Sequence, residues 1–260
     1  MRLKLSFLTL PFRQPLVTRR VRPMYRALLR TQWAATDQIQ RLQEVRLRRM
    51  VRHAYHHVPY YREVFDRMQI RPEQIVTLHD LVRLPVLTRS DVRDQLYFDL
   101  FADNHRKQEM QKVTTSGVGA EPLDLYVGRM QLEMRLAAFL RARTWDTDVR
   151  EYGIPECRGI AYECAARAGY HVAAESYIVE VLNDRQPALP GEVGDVVITD
   201  LDSFQVPLIR YRTGDRAVAV EGVCGCGRGL RRIGQIEQRA ATIQMMPRET
   251  GWEISVPLQI

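Results

Sequence analysis

The spacing of the apolar residues changes near the middle of the chain, and this change restricts the fold more than any other feature. In the first half, apolar residues recur at helical spacing, most clearly in a helix that Thr36 and Asp37 can begin and that runs to about His57. A second amphipathic helix is predicted over 128–143. In the second half, the segment 171–182 alternates apolar and polar residues and is rich in Val, Ile and Tyr, as β-strands are. The pattern predicts an α+β protein, with a helical N-terminal region followed by a β-rich subdomain.

Capping and turn residues divide these two regions further. Thr77 followed by Asp80, and Ser90 followed by Asp91, each indicate the start of a helix. We divide the chain into a basic N-terminal extension, a helical part and a β-rich part, over residues 1–35, 36–147 and 148–260. Further strands are predicted over 195–199, 208–211 and 216–220.

The composition is that of an ordinary globular protein, with 45% hydrophobic and 27% charged residues among 260. No run of apolar residues reaches the length of about 18 that a membrane-spanning helix needs. Residues 1–12 mix Arg2 and Lys4 with a short apolar run but lack a small-residue cleavage site, so no signal peptide is predicted. These features argue against a secreted, integral-membrane or disordered protein and favour the cytoplasm.

The positive charge is concentrated at the N-terminus. The formal net charge is +7, and the first fifty residues hold twelve basic residues against two acidic ones. Such a segment can contact an anionic membrane or nucleic acid. However, only three of the basic residues in the chain are Lys, which indicates a general bias towards Arg, and no aromatic-interleaved basic platform or helix-turn-helix pattern is present. A nucleic-acid or membrane-surface binder therefore ranks last among the functions that we consider.

The four cysteines lie in two groups, Cys157 with Cys164 and Cys224 with Cys226. They are not distributed like the cysteines of a disulfide framework, and no signal peptide is predicted. A reducing compartment and a bound metal are therefore better supported than disulfides.

Nine short motifs follow one another in an order that is more specific than any one of them. Taken together, they resemble the phenylacetate–CoA ligase family of adenylate-forming enzymes, which includes relatives in capsule biosynthesis. The resemblance covers most residues from about 35 to 243. The motif segments are 43–47, 57–62, 81–88, 114–123, 152–156, 190–195, 211–216, 224–228 and 236–239.

The resemblance implies the family reaction, in which ATP activates a carboxylic acid to an acyl-adenylate and CoA then displaces AMP. In this family pattern, Tyr152 offers a flat face to adenine and Glu156 is a ligand of Mg²⁺. Asp215 accepts hydrogen bonds from the ribose hydroxyls, and Arg239 reaches the ribose or phosphate from the far side. The polyphosphate is implied to lie on a loop of Gly and hydroxyl residues, whose matched positions are Thr115, Ser116 and Gly117.

The resemblance also supports grouping the metal candidates, because the same residues recur in metal-binding members of the family. Three thiolates and one imidazole, the ligand set of a closed structural zinc site, come from Cys164, His171, Cys224 and Cys226. Their spacing is not that of a standard zinc finger. The alternative interpretation is a set of buried cysteines without a metal and a surface histidine. Cys157 is predicted to be a core thiol.

Several positions depart from the family pattern. In the phosphate loop, 118–120 reads Val-Gly-Ala in place of Ser-Thr-Gly, which removes two hydroxyls. Glu121 adds a negative charge beside the polyphosphate position. Pro155 removes a hydroxyl and an amide donor from the adenine motif. Each change is expected to weaken the binding of ATP.

Two segments of the family are expected to be missing. A domain-sized stretch, which holds the acyl pocket in relatives, would lie between Trp145 and Glu151. The mobile lid with its catalytic Lys would follow Arg239, and the sequence has no Lys after Lys112. We therefore predict an AMP-forming ligase-like protein with little or no turnover. The alternative is a non-catalytic, zinc-stabilised remnant that binds nucleotide or a protein partner.

Overall fold

A computed structural model describes residues 15–95, 99–114, 124–237, 244–248 and 251–255. Helices dominate the N-terminal half of this part of the chain and strands dominate the C-terminal half, so the protein is α+β as predicted. The α-helices of the described residues are α1 (Pro15–Thr31), α2 (Thr36–His57), α3 (Pro59–Arg67), α4 (Arg89–Gln95) and α5 (Arg129–Ala142).

The predicted helix starts are present, and local hydrogen bonds explain them. Asp80 accepts from the backbone N–H of Thr77 at 2.8 Å and begins a short 3₁₀ helix, Leu78–Arg83. Asp91 likewise accepts from the backbone N–H of Thr88 at 2.7 Å, next to the first residue of α4. Because these bonds join residues three positions apart, the sequence alone predicts them.

Helix α1 lies where the sequence indicated only a basic extension. It contains Pro23, and its first turn carries no acidic residue, so it lacks the usual signals of a helix. Val21 and Leu28 are buried on one side of it, and α1 packs against α5. Tertiary packing therefore stabilises a helix that the local sequence does not favour.

Most strands form one antiparallel sheet of eight. A separate antiparallel pair, β1 (Gln111–Thr114) and β2 (Asp124–Val127), flanks the predicted phosphate loop. The strand order in the large sheet is β3-β4-β5-β10-β9-β8-β6-β7. Its strands are β3 (Glu151–Tyr152), β4 (Ala161–Glu163), β5 (Tyr170–Val172), β6 (Tyr177–Asn183), β7 (Gln186–Pro187), β8 (Val193–Asp200), β9 (Tyr211–Ala219) and β10 (Arg232–Glu237), and a hairpin of β11 (Gln244–Arg248) and β12 (Gly251–Ser255) follows.

Two predicted strand boundaries were wrong. The segment 171–182 is not one strand, because a turn closed by the Ser176 N–H and the Ala173 carbonyl separates β5 from β6. Conversely, the two strands predicted over 208–211 and 216–220 are largely one strand, β9, which continues through Gly214. Gly214 has a φ of 87°, a conformation that glycine adopts readily, and the pairing of β8 with β9 shifts register in this region.

Polar contacts connect the helices to this sheet. The Tyr61 hydroxyl donates to the Pro207 carbonyl at 2.8 Å and accepts from the Ile209 N–H at 3.0 Å. The Gln43 side chain on α2 donates to the Tyr177 carbonyl at 2.8 Å. Within the described residues, none of the helices combines the length and apolarity needed to cross a bilayer.

Candidate metal centre and nucleotide site

The four predicted metal ligands come together at one end of the large sheet. Cys164 follows β4 and His171 lies on β5, while Cys224 and Cys226 lie in the turn between β9 and β10. All four potential ligand atoms lie within 4.8 Å of one another. The Sγ atoms of Cys164 and Cys224 are 3.8 Å apart, and the Sγ atom of Cys226 is 3.3 Å from Nε2 of His171. The cluster could therefore hold a metal ion.

The surroundings of His171 set the tautomer and the protonation state that metal binding requires. Its side chain is fully buried, and Nδ1 lies 3.2 Å from the Leu230 carbonyl oxygen. Because a carbonyl can only accept, Nδ1 carries the hydrogen, and the Nε2 lone pair faces the thiols. Burial lowers the pKa of His171 to about 4, so the imidazole is neutral at pH 7, the form that binds metals.

A cation–π stack holds the cysteine turn against α1. The Arg228 guanidinium lies 4.8 Å from the ring centre of Trp33 and 4.6 Å from that of Trp145. The Trp145 ring also meets the His171 ring edge-on, with centroids 5.5 Å apart. The Trp145 indole donates to the Gln32 side chain at 2.6 Å. The cluster is thus packed into the junction of α1, α5 and the sheet.

The two predicted nucleotide motifs meet on strand β9. Because side chains alternate along a strand, Tyr211, Thr213 and Asp215 share one face. The Tyr211 hydroxyl donates to Oε1 of Glu156 at 3.2 Å. The Tyr152 hydroxyl donates to Oδ2 of Asp215 at 3.0 Å. The structure therefore brings together three of the residues implied for adenine, Mg²⁺ and ribose.

These side chains face one another and are largely withdrawn from solvent. Tyr152 is fully buried, and burial raises the pKa of its phenol. Glu156 and Asp215 are each 5% exposed. An ion pair with Arg89 neutralises Glu156. A metal ion bound at Glu156 would have to compete with this guanidinium.

Some predicted site residues lie outside the described part of the chain. These are the phosphate-loop residues Thr115, Ser116 and Gly117, together with Arg239. Their roles stay predictions. The flanking strands β1 and β2 are described and form an antiparallel pair around the loop.

Sequence reasoning missed the basic residues that surround this site. Arg89 reaches Glu156 from the start of α4, and Arg135 on α5 donates to the Glu156 carbonyl at 3.3 Å. Arg135 also lies 3.4 Å from the buried carboxylate of Asp200. Neither arginine belongs to a motif in the sequence, and the partners of both lie more than twenty residues away. No local pattern could have indicated these contacts.

The comparisons with known proteins agree with this fold and these motifs. No family model matches the chain. A phenylacetate-coenzyme A ligase of Thermus thermophilus is 24% identical over 313 residues, covering 77% of this chain and 70% of the relative. A phenylacetate-coenzyme A ligase of Escherichia coli is 42% identical over 69 residues, which are 26% of this chain and 16% of the relative. A 2-hydroxyisobutyryl-CoA ligase structure in the postadenylation state matches 86% of this chain and 72% of its own, with a TM-score of 0.65 and 14% identity.

These matches define what the chain is similar to. Its sequence is similar to those of phenylacetate-coenzyme A ligases, and its fold is similar to that of the 2-hydroxyisobutyryl-CoA ligase structure. The match to the Thermus relative extends over 313 positions but includes only 77% of the 260 residues of this chain, so about 113 positions of that match fall in gaps of this chain. This agrees with the predicted loss of an internal segment.

Proposed function

We propose that the chain is an acid–CoA ligase-type protein that keeps two nucleotide-site motifs side by side and has little or no turnover as this chain alone. The family reaction is ATP-dependent activation of a carboxylate to an acyl-adenylate, followed by thioester formation with CoA. The observation that carries the proposal is the meeting of Tyr152, Glu156 and Asp215 along β9. Two motifs that lie about sixty residues apart come close together, which supports the nucleotide site that the resemblance implies.

Three features support the loss of turnover. The Glu156 carboxylate, implied as a Mg²⁺ ligand, is already paired with Arg89. Glu121 in the phosphate loop adds negative charge where a polyphosphate would bind. The internal gap relative to the Thermus ligase removes residues that the relative possesses. Electrostatic stabilisation is usually the largest catalytic contribution, and loss of one donor costs about 10²–10³-fold in rate.

We further propose that the Cys164, His171, Cys224 and Cys226 cluster binds zinc and that this zinc is structural. Tetrahedral zinc with bond lengths of about 2.3 Å to sulfur and about 2.0 Å to nitrogen separates two sulfurs by about 3.8 Å and sulfur from nitrogen by about 3.5 Å. The Sγ atoms of Cys164 and Cys224 are 3.8 Å apart, Sγ of Cys226 and Nε2 of His171 are 3.3 Å apart, and all four ligand atoms lie within 4.8 Å of one another. Four protein ligands leave no open position for a substrate, so the ion would join the strands and contribute folding free energy.

The alternative is a non-catalytic protein, stabilised by zinc, that binds nucleotide or a protein partner. The Arg89–Glu156 pair favours this alternative, because it satisfies the buried carboxylate without a metal or ATP. Pyrophosphate release that depends on a carboxylic acid would exclude this alternative, because a non-catalytic protein forms no acyl-adenylate.

The first prediction concerns nucleotide affinity. We expect AMP and ATP to bind with dissociation constants weaker than about 0.1 mM. Asp215→Ala should weaken AMP binding about tenfold or more, because a hydrogen bond to a charged group contributes about 1.5–3 kcal/mol. Calorimetric titration of both proteins measures the difference. Asp195→Ala is the matched control, since Asp195 lies on the neighbouring strand β8 and is 40% exposed at the side chain. Tight ATP binding that survives Asp215→Ala would contradict the proposed site.

The second prediction concerns catalysis. We expect no measurable pyrophosphate release by the purified 260-residue chain with ATP, Mg²⁺ and a panel of aromatic and aliphatic acids. Several catalytic losses act together here, although their effects need not multiply. An active phenylacetate-coenzyme A ligase, assayed in parallel, sets the detection limit. Steady release that depends on the acid would overturn the proposed loss of turnover and would identify the substrate class.

A further inference from the structure

The C-terminal half of helix α2 lines an open groove on the surface of the protein. The groove has a volume of about 410 Å³, and small-molecule sites commonly measure about 300–1,000 Å³. Its lining side chains recur three or four positions apart, so they follow one face of the helix. Six of the seven lining residues are basic, and we call this feature the α2 basic groove. The lining residues are Val45, Arg48, Arg49, Arg52, His53, His56 and His57.

The protein neutralises little of the positive charge in the α2 basic groove. None of the seven lining residues is acidic. Among the residues that the structure describes, Arg52 has no hydrogen-bond or ion-pair partner, and Arg49 forms no ion pair. Asp103 offsets part of the charge, because its Oδ1 lies 2.9 Å from Nδ1 of His57. Positive groups gathered along a concave surface raise the local potential, so the groove should attract anions.

Contacts with other parts of the fold hold several of these side chains in place. Arg48 donates to the Val76 carbonyl at 2.9 Å. The Arg49 guanidinium lies 5.0 Å from the ring centre of Phe204. His53 donates through Nε2 to the Phe204 carbonyl at 2.7 Å. Side chains that are held in place before a ligand arrives lose less conformational entropy on binding, which favours affinity.

The spacing of the exposed basic side chains fits an anion with more than one charged group. Arg49, Arg52 and His56 are exposed and lie on successive turns of α2. From Arg49 to His56 the helix rises about 10 Å, at about 1.5 Å per residue. A guanidinium group binds a phosphate through two parallel hydrogen bonds. Two linked phosphates can therefore contact more of these side chains than one phosphate can.

We propose that the α2 basic groove binds a small anion that carries two or more linked phosphate groups. The guanidinium groups of Arg49 and Arg52 bind the phosphates, and the His56 imidazole donates a further hydrogen bond. An acidic protein segment fits less well, because protein interfaces have apolar and aromatic centres, and of the lining residues only Val45 is apolar. The proposal is independent of the ligase-type function, since it uses none of the residues of the nucleotide motifs.

Calorimetric titration of the full 260-residue chain with pyrophosphate tests this proposal. We expect a dissociation constant below about 1 mM at low ionic strength, and binding of inorganic phosphate that is about tenfold weaker or more. Arg49→Gln with Arg52→Gln should weaken pyrophosphate binding about tenfold or more, because two charge-assisted contacts are lost. The same double variant should keep the AMP affinity of the wild type, which distinguishes this groove from the site proposed around Asp215.

The control removes the same charge elsewhere. Arg185 and Arg231 are exposed and do not line the groove. Arg185→Gln with Arg231→Gln should change pyrophosphate binding by less than about twofold, because distant charges are screened. Circular dichroism should show native folding for both double variants.

Several outcomes would overturn the proposal. Equal losses in the two double variants would indicate attraction to the overall charge of the protein, and phosphate that binds as tightly as pyrophosphate would exclude a site for linked phosphates. An acidic peptide that binds more tightly than pyrophosphate through Arg49 and Arg52 would assign the groove to a protein partner instead. Tighter binding of ADP than of pyrophosphate, lost when both arginines are replaced, would support the proposal and identify the phosphates as those of a nucleotide.

Discussion

Elemental analysis of the protein purified without chelators is expected to give one zinc per chain, and Cys226→Ser is expected to lower the thermal midpoint by about 10 °C or more. Structural zinc contributes about 10–16 kcal/mol to small zinc-binding peptides, and loss of one of four ligands removes part of this contribution. In a chain of this size, about 1 kcal/mol corresponds to a shift of about 2–4 °C.

The location of the cluster explains why the effect should be large. The turn with Cys224 and Cys226 connects β9 to β10, and its next residues contact α1 through Arg228. The Gly229 N–H donates to the Gln32 carbonyl at 3.1 Å, and the Thr36 hydroxyl donates to the Gly229 carbonyl at 3.1 Å. Release of the turn would therefore loosen two strands and the α1–α2 junction together.

Cys157→Ser provides the control for the zinc experiment. Cys157 is a fully buried thiol outside the four-residue cluster, so its substitution also replaces sulfur by oxygen in the interior. We expect Cys157→Ser to keep its zinc and to be less destabilised than Cys226→Ser. A zinc content near zero in the wild-type protein would refute the site, and equal destabilisation of the two variants would refute its structural role.

Glu175→Gln is expected to destabilise the protein by about 3–5 kcal/mol, because it leaves a buried charge without its partner. Arg141 on α5 is completely buried and donates to Oε1 of Glu175 at 2.7 Å. The Thr31 hydroxyl donates to the same oxygen. Among the described residues, Nε and Nη2 of Arg141 have no hydrogen-bond partner, so the pair with Glu175 is the main compensation for this charge. Chemical denaturation of the wild type and the variant measures the difference.

A surface pair and a double variant test the cause of this effect. Asp148 lies 3.9 Å from Arg167 and its side chain is 85% exposed, so Asp148→Asn should change stability by less than about 1 kcal/mol. Arg141→Met combined with Glu175→Gln removes both charges and should recover much of the lost stability. If Glu175→Gln alone costs less than about 1 kcal/mol, or if the double variant is no better, the buried charge is not the cause.

The site could be predicted in part because its residues form recognisable local motifs. The metal grouping required only the residue types at Cys164, His171, Cys224 and Cys226 and the resemblance to a family, and the structure brings their ligand atoms within 4.8 Å. The proximity of Tyr152 to Asp215 followed from the same resemblance. The pairing of Arg89 with Glu156 could not be predicted, because it joins residues that are 67 positions apart.

The elements that could be predicted from the sequence are those that short-range interactions specify. The helix α2 follows from apolar spacing, and the helix start at Thr77 follows from the carboxylate of Asp80, three residues later, which accepts from a backbone N–H group. The β-rich character of the second half follows from alternation and frequent turns. These interactions involve neighbours along the chain, so the order of residues specifies them directly.

Elements that are stabilised by contacts between distant parts of the chain could not be predicted from the sequence. Helix α1 forms despite Pro23 because α5 covers its apolar side, and strand β9 continues through Gly214 because β8 pairs with it on one edge and β10 on the other. The pairing of the buried Arg141 with Glu175 has the same origin. Burial and pairing across the chain outweigh local propensity here, since a helix or strand gains most of its stability from the surface that it covers.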